Sequence, residues 1–389
     1  MKKGWIPLLV VLALLMPRAG AAQADAPMED SPPITLESPS CILTEAGTGR
    51  VIFEKNADER RPVASVTKVM TMLLIMEAVD SGKIALEDTV TASENAAAKG
   101  GSQIYLKAGE TMSVSDMLKS IAVSSANDCA CAMAEHIAGS ESAFVDAMNQ
   151  RARELGMQDT HFVNCTGLDD DDTAKQHRTS AYDIALMSRE LLKNHPLIKK
   201  YTTIWMDTVR NGAFGLSNTN KLIRFYPGAT GLKTGFTSGA GYCLSASAQR
   251  DGMELVAVVM GAKTSQARNA ACKELLDYGF ANFAVIAPEL SEVPGVPVKL
   301  GRQDTVNAAL GEATGLLIDK SQKSSVTTEV TLEERVTAPV TRGQQIGTLS
   351  IKSGEQTLRQ IPLVAAEGVE RLTTGDIFVN ILKKAAMAK

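Results

Sequence analysis

A chain of 389 residues, 44% hydrophobic and 22% charged, can bury a large core and has room for two domains. A formal net charge of −4, with no basic, aromatic-studded stretch, excludes a nucleic-acid surface. His136, His161, His177 and His195 are scattered without metal-ligand spacing, so no metal site is expected.

The chain opens with two lysines, an apolar run from Ile6 to Met16, and small residues at Ala19, Ala21, Ala22 and Ala24. That is the plan of a secretory signal peptide over residues 1–24, with an apolar run too short to span a membrane. Residues 25–37, Pro-rich and acidic, are expected to be a linker. From Ser40 to Lys55, two apolar stretches flank "EAGTG" and predict a β-hairpin.

In "RPVASVTKVM", residues 61–70, Pro62 blocks any earlier helix and Ser65 is placed to cap one. Val69, Met70, Met72, Leu73, Leu74 and Ile75 then continue it as a buried helix. Helical apolar spacing persists to about residue 200. "GYCLSASA" and "MELVAVVMGA" read as strands joined by an Asp-Gly turn, and "ACKELLDYGFANF" as an amphipathic helix closing a first domain, 38–283. Short alternating strands with Gly and Pro turns predict a small all-β domain over 284–366. In the last segment, 367–389, Ile377, Phe378, Ile381, Leu382 and Ala385 share one helical face beside Lys383, Lys384 and Lys389. That pattern suits a helix lying in a membrane interface.

Cys41, Cys129, Cys131, Cys165, Cys243 and Cys272 show no zinc-like pairs and read mostly as small apolar core residues. "LDDDDT", residues 168–173, lacks the spaced ligands and glycine of a calcium loop and reads as a solvated loop. "KGGSQIYLKAGE", residues 99–110, opens on glycines without a phosphate cradle and is expected to edge a cleft. His177, just before a helix start at "TSAYD", reads as structural.

Three signals carry chemistry: Ser65-x-x-Lys68, then Ser125-Ala126-Asn127, then Lys233-Thr234-Gly235. In that order they match the elements of serine acyl-enzymes that handle penicillins. A serine hydroxyl is a poor nucleophile until a neighbour takes its proton, and position i+3 of a helix puts Lys68 on the face of Ser65. Lys68 must be neutral to act as the base, which calls for burial and a nearby cation, for which Lys233 is the candidate. A helix start also favours negative charge developing at Ser65.

With these motifs the chain resembles the D-alanyl-D-alanine carboxypeptidases, the low-molecular-weight penicillin-binding proteins, over nearly its whole length. "ASVTKVMT", "SANDCACAMAEHI", "HRTSAYDIALMSREL" and "YPGATGLKTGFTSGAGYCLSASA" also look like family stretches. The resemblance implies an α+β fold: a β-lactamase/transpeptidase-like catalytic domain, an antiparallel sheet with a helical cluster, followed by the small β domain. It implies removal of the terminal D-Ala from peptidoglycan stem peptides ending in D-Ala-D-Ala, acylation by β-lactam antibiotics, no cofactor, and a place at the outer face of a bacterial cytoplasmic membrane.

Carried over, Ser65 is acylated, Lys68 is its base, Ser125 relays the proton to the departing D-Ala, and Asn127 holds Lys68 and the substrate amide. Lys233 and Thr234 bind the terminal carboxylate, and the backbone N–H groups of Ser65 and Phe236, beside Gly235, form the oxyanion hole. Arg268 falls where some members place an arginine near that carboxylate. Two departures stand out: Phe236 where some relatives have histidine, and Cys165 where proline is usual. One rival is a β-lactamase, but no segment is assignable to its water-activating carboxylate. The other is a β-lactam sensor or wall-binding protein, but the transmembrane relay it needs is missing from the sequence pattern.

Overall fold

The computed structural model describes residues 34–169, 172–290, 292–312 and 315–387. The expected signal peptide, most of the linker, and Asp170 and Asp171 of the acidic run lie outside the described residues.

The predicted hairpin forms, Ser40–Glu45 with Val51–Lys55, and becomes one side of a five-stranded antiparallel sheet. In space the order is Val51–Lys55, Ser40–Glu45, Met253–Ala262, Gly241–Arg250, Ala229–Thr237. The "QRDG" turn joins the third and fourth strands, with Asp251 and Gly252 both left-handed, as a two-residue hairpin loop requires. Period-2 alternation then divides the side chains. Ile42, Val256, Val258 and Met260 join the main core under the helices, whereas Leu43 and Leu255 meet Gly279 of the helix Ser265–Asn282 on the other face. Covering both faces explains why these strands read as continuous apolar runs.

The helical cluster is centred on Lys68–Asp80, apolar nearly all round and therefore buried. Helices Val114–Ser124, Glu141–Glu154 and Ala181–Asn194 start where serines at 113, 140 and 180 accept the N–H groups of Asp116, Ala143 and Asp183. Lys233-Thr234-Gly235 lies within a strand of its own, the edge strand Ala229–Thr237, directly ahead of Gly241–Arg250. One sequence expectation shifts locally. Ser65 does not cap a helix: it sits inside a 3-10 turn, Ala64–Thr67, that runs into Lys68–Asp80, with Val63 at the cap position and no side-chain cap bond.

After Phe283 the chain is β-rich. Strand Phe283–Ile286 pairs with Leu316–Asp319, and the hairpin Gln345–Ser353/Gln356–Ala365 is flanked by Val326–Leu332 and Ala308–Leu310. Its interior is packed by Leu349, Ile351, Ile361 and Leu363. The whole is the expected α+β fold, a sheet with a helical cluster followed by β structure. The last helix, Thr374–Met387, leaves Phe378, Val379, Ile381 and Leu382 exposed. Among the described residues no helix is long and apolar enough to cross a membrane. All six cysteines are buried and none is disulfide-bonded.

Candidate active site

Two of the three motifs, far apart in sequence, meet at the Ala64–Thr67 turn: Ser65-x-x-Lys68 forms it and Gly235 packs against it. Lys68 Nζ lies 3.0 Å from Ser65 Oγ and donates to the Thr166 carbonyl at 2.7 Å. Lys68 is fully buried, and burial is the main force bringing its pKa down to about 7. The sequence called for both burial and a nearby cation, Lys233; burial leads, and Lys233 is itself buried and depressed, first by burial, then by the charge of Lys68 and of Arg268. As a neutral amine, Lys68 can donate to Thr166 and accept the Ser65 hydroxyl proton at the same separation.

The Thr166 carbonyl is a functional group that motif reading passed over. It sits in "NCTGL", where Asn164 Oδ1 accepts the N–H groups of Thr166 at 3.1 Å and Gly167 at 2.7 Å, an Asx-type turn. Gly167 is left-handed, and a Cβ there would stand 1.9 Å from the Ala64 carbonyl oxygen. Only glycine lets this loop lie against the nucleophile turn. An Asn two and three residues ahead of Thr-Gly was the available signal.

His177 holds the same turn from behind. Its Nδ1 accepts the Val163 N–H at 3.2 Å, which leaves the proton on Nε2 to be given to Thr67 Oγ1 at 2.7 Å. Thr67 Oγ1 in turn donates to the Ala64 carbonyl at 2.8 Å. Burial brings the His177 pKa down to about 3, so the ring is neutral. Ala64 itself is left-handed, φ 51°, so the residue before Ser65 is strained and held by these bonds.

Ser125 is buried and left-handed at the end of Val114–Ser124, and Asn127 opens the helix Asn127–Ala138. The expected bond between Asn127 and Lys68 is not made. Asn127 Nδ2 donates to the Gly100 carbonyl at 2.7 Å instead, because the 99–107 loop packs directly over it. Asn127 Oδ1 is buried with no hydrogen-bond partner among the described residues.

On the opposite wall, Gly235 approaches so closely that a Cβ would lie 3.1 Å from Ser65 N and 2.7 Å from the Val63 carbonyl oxygen. Lys233 Nζ donates to the Thr234 carbonyl at 2.9 Å, and Thr234 Oγ1 to Thr219 Oγ1 at 2.7 Å. Phe236 is exposed and stacked on Tyr242, ring centroids 4.3 Å apart. Arg268 is buried, within reach of the Cys243 carbonyl, and Cys243 pairs with Gly235 across the strands. Ser65, Lys68 and Gly235 thus meet at the nucleophile turn, Lys233, Thr234 and Phe236 flank Gly235 on its strand, and Arg268 reaches the neighbouring strand; no hydrogen bond joins Ser125 or Asn127 to Ser65 or Lys68 among the described residues. Among the described residues, Glu77, Glu190 and His195 lie close enough together to hold a metal ion, but Arg151 already donates to both glutamates at 2.7 Å.

Residues 26–264 match the family model described as D-alanyl-D-alanine carboxypeptidase, and 291–371 match the C-terminal domain of penicillin-binding protein 5. The chain is 41% identical to D-alanyl-D-alanine carboxypeptidase DacF of Bacillus subtilis, over 97% of this chain and 96% of that one. It is similar to the crystal structure of penicillin binding protein 5 from Haemophilus influenzae, with a TM-score of 0.75 and 29% identity, covering 88% of this chain and all (100%) of that one. It is also similar to penicillin-binding protein D2 from Listeria monocytogenes in an ampicillin-bound form, with a TM-score of 0.58 and 32% identity over 64% of this chain and 100% of that one. A buried lysine 3.0 Å from a serine hydroxyl suits such a family, and with a family model matching well over half of its length the chain belongs to the D-alanyl-D-alanine carboxypeptidase family.

Proposed function

We propose that Ser65 is the nucleophile and Lys68 the general base through which this serine-type D-Ala-D-Ala carboxypeptidase works. The observation that carries the assignment is a fully buried amine with its pKa brought down to about 7, 3.0 Å from Ser65 Oγ. Lys68 takes the hydroxyl proton as Ser65 Oγ attacks the carbonyl carbon of the penultimate D-Ala. The tetrahedral oxyanion is met by the backbone N–H groups of Ser65 and Phe236, which the Gly235 approach supports. Collapse expels the terminal D-Ala, whose amine receives its proton through Ser125. Water then cleaves the ester and frees Ser65 for another cycle.

Lys233, Thr234 and Arg268 supply the positive and hydroxyl groups for the terminal carboxylate, and the edge strand Ala229–Thr237 offers backbone groups to an extended peptide. Asn127, whose buried Oδ1 has no hydrogen-bond partner among the described residues, is the residue assigned to hold the amide on the acyl side of the scissile bond. A β-lactam enters by the same attack and leaves a ring-opened ester on Ser65. Export by residues 1–24, and attachment of the apolar face of Thr374–Met387 to the outer surface of the cytoplasmic membrane, complete the reading.

The test is release of D-alanine from diacetyl-Lys-D-Ala-D-Ala by the purified chain from Asp25 onward, beside its Ser65→Ala variant. Release by the parent alone supports the assignment. Release by both overturns Ser65 as nucleophile. No release, with penicillin still bound covalently by a folded parent, replaces the enzyme by a sensor.

A further inference from the structure

Tyr105 is an aromatic residue held in an unfavourable conformation with its ring largely outside the protein. Its φ is 61°, left-handed, and it is 67% exposed. Neither feature helps folding: the backbone is strained for a residue with a side chain, and an exposed ring buries little apolar surface.

The surrounding structure enforces this state from two sides. Beneath, the buried Asp128 carboxylate accepts the N–H groups of Ile104 at 3.1 Å and Leu106 at 3.0 Å, one residue either side of Tyr105. Outside, Arg210 donates to the carbonyls of Ile104 at 2.8 Å and Tyr105 at 3.3 Å, and is itself held by Glu110 at 2.6 Å. The ring stands edge-on to Phe214, centroids 6.3 Å apart, and Arg210 lies over Phe214. Two charged side chains and a second aromatic thus converge to present one exposed ring.

The loop that carries this ring is built on the catalytic motif. Asn127 N–H donates to the Ser102 carbonyl at 2.7 Å, and Asn127 Nδ2 to that of Gly100. Asp128, the next residue, is the group that sets Tyr105. From Ser102 to Tyr105 the chain can reach at most about 10 Å. An extended peptide advances about 3.4 Å per residue, so a substrate whose reacting carbonyl lies beside Asn127 carries its one to three preceding residues over a comparable distance.

We propose that Tyr105 is a specificity-determining residue whose ring receives the side chain that precedes the D-Ala-D-Ala pair, selecting a run of methylenes with a polar end. The inference rests on the carboxypeptidase reading above. A flat ring with a terminal hydroxyl packs along such a run and leaves its polar end in water.

The experiment compares kcat/KM for diacetyl-Lys-D-Ala-D-Ala and acetyl-Gly-D-Ala-D-Ala in the parent, Tyr105→Gly, Tyr105→Ala and Tyr105→Phe. The parent favours the lysine peptide. Tyr105→Gly and Tyr105→Ala reduce that preference at least about tenfold, through KM for the lysine peptide, and leave the glycine peptide within about twofold. Tyr105→Phe keeps most of the preference. Tyr105→Gly, which relieves the strain, melts above Tyr105→Ala. An equal loss on both peptides would show that Tyr105 only builds the loop, and an unchanged preference would show that it contacts no substrate; either overturns the proposal alone. A parent inactive on both peptides overturns the carboxypeptidase reading and this inference together.

Discussion

The two halves of the chain bury different things. Up to Phe283 the interior holds Lys68, Asp128, His177, Lys233 and Arg268, all charged or titratable, and strained backbone at Ala64, Tyr105 and Ser125. In the β-rich part beyond, Ser350 is the one buried polar residue among the described residues, and the rest of the interior is apolar. Buried charge and strain oppose folding. The buried charges gather in the part that carries the three motifs, whereas in the β-rich part Leu300 alone among the described non-glycine residues is left-handed.

The largest test of that contrast is Ser65→Ala, expected to lower kcat/KM for D-Ala release on the order of 10⁴-fold or more with an unchanged melting temperature. Lys68→Met is expected to be nearly as damaging, about 10³-fold in penicillin acylation, yet to raise the melting temperature at pH 7. The sign follows from proton binding. Between about 7 and 10.5 the unfolded chain holds a proton on Lys68 that the folded chain lacks, so stability rises with pH there and the penalty is complete below 7. Acylation by the parent should accordingly rise through pH 7 as the amine becomes neutral. A Lys68→Met protein that melts lower at pH 7 would break the comparison.

Gly167→Ala is expected to cost about 10²-fold in acylation, because its Cβ cannot coexist with the Ala64 carbonyl and the turn must move. Acylation rates across a penicillin series read this directly. In the β-rich part, Leu349→Ala should remove about 3 kcal/mol of stability, measured by denaturant unfolding, while kcat/KM stays within error. A loss of activity there would show that the β-rich part is coupled to the cleft. The smallest effect belongs to His177. Its folded pKa, about 3, lies below the 6.5 of the free group, so stability falls as pH drops through that window. Between pH 7 and 5 the loss is about 2 kcal/mol, and a His177→Gln variant should show a flatter profile.

Much of this was legible beforehand. The Ser40–Lys55 hairpin, the strands joined by Asp251-Gly252 and the buried helix after Lys68 follow from local pattern, and the three motifs name the residues proposed for the site. What stayed hidden depends on contacts between distant segments. Thr166 meets Lys68 across 98 positions, and His177 meets Thr67 across 110, and neither spacing carries a local signal. Ser65 was misread as a cap because Pro62 and the apolar run that follows mimic a helix start, whereas the Gly167 loop and the Gly235 strand hold the turn in a tighter 3-10 form.

Residue types and their order, then, were enough to determine the fold class and to nominate a nucleophile and its base, because propensity and motif spacing are local properties of a chain. Tertiary structure alone decided why that lysine is neutral near pH 7, what holds the turn in strain, and which Asn127 atom lacks a hydrogen-bond partner among the described residues. Each of these depends on desolvation and on partners that come within hydrogen-bonding distance only once the chain is packed.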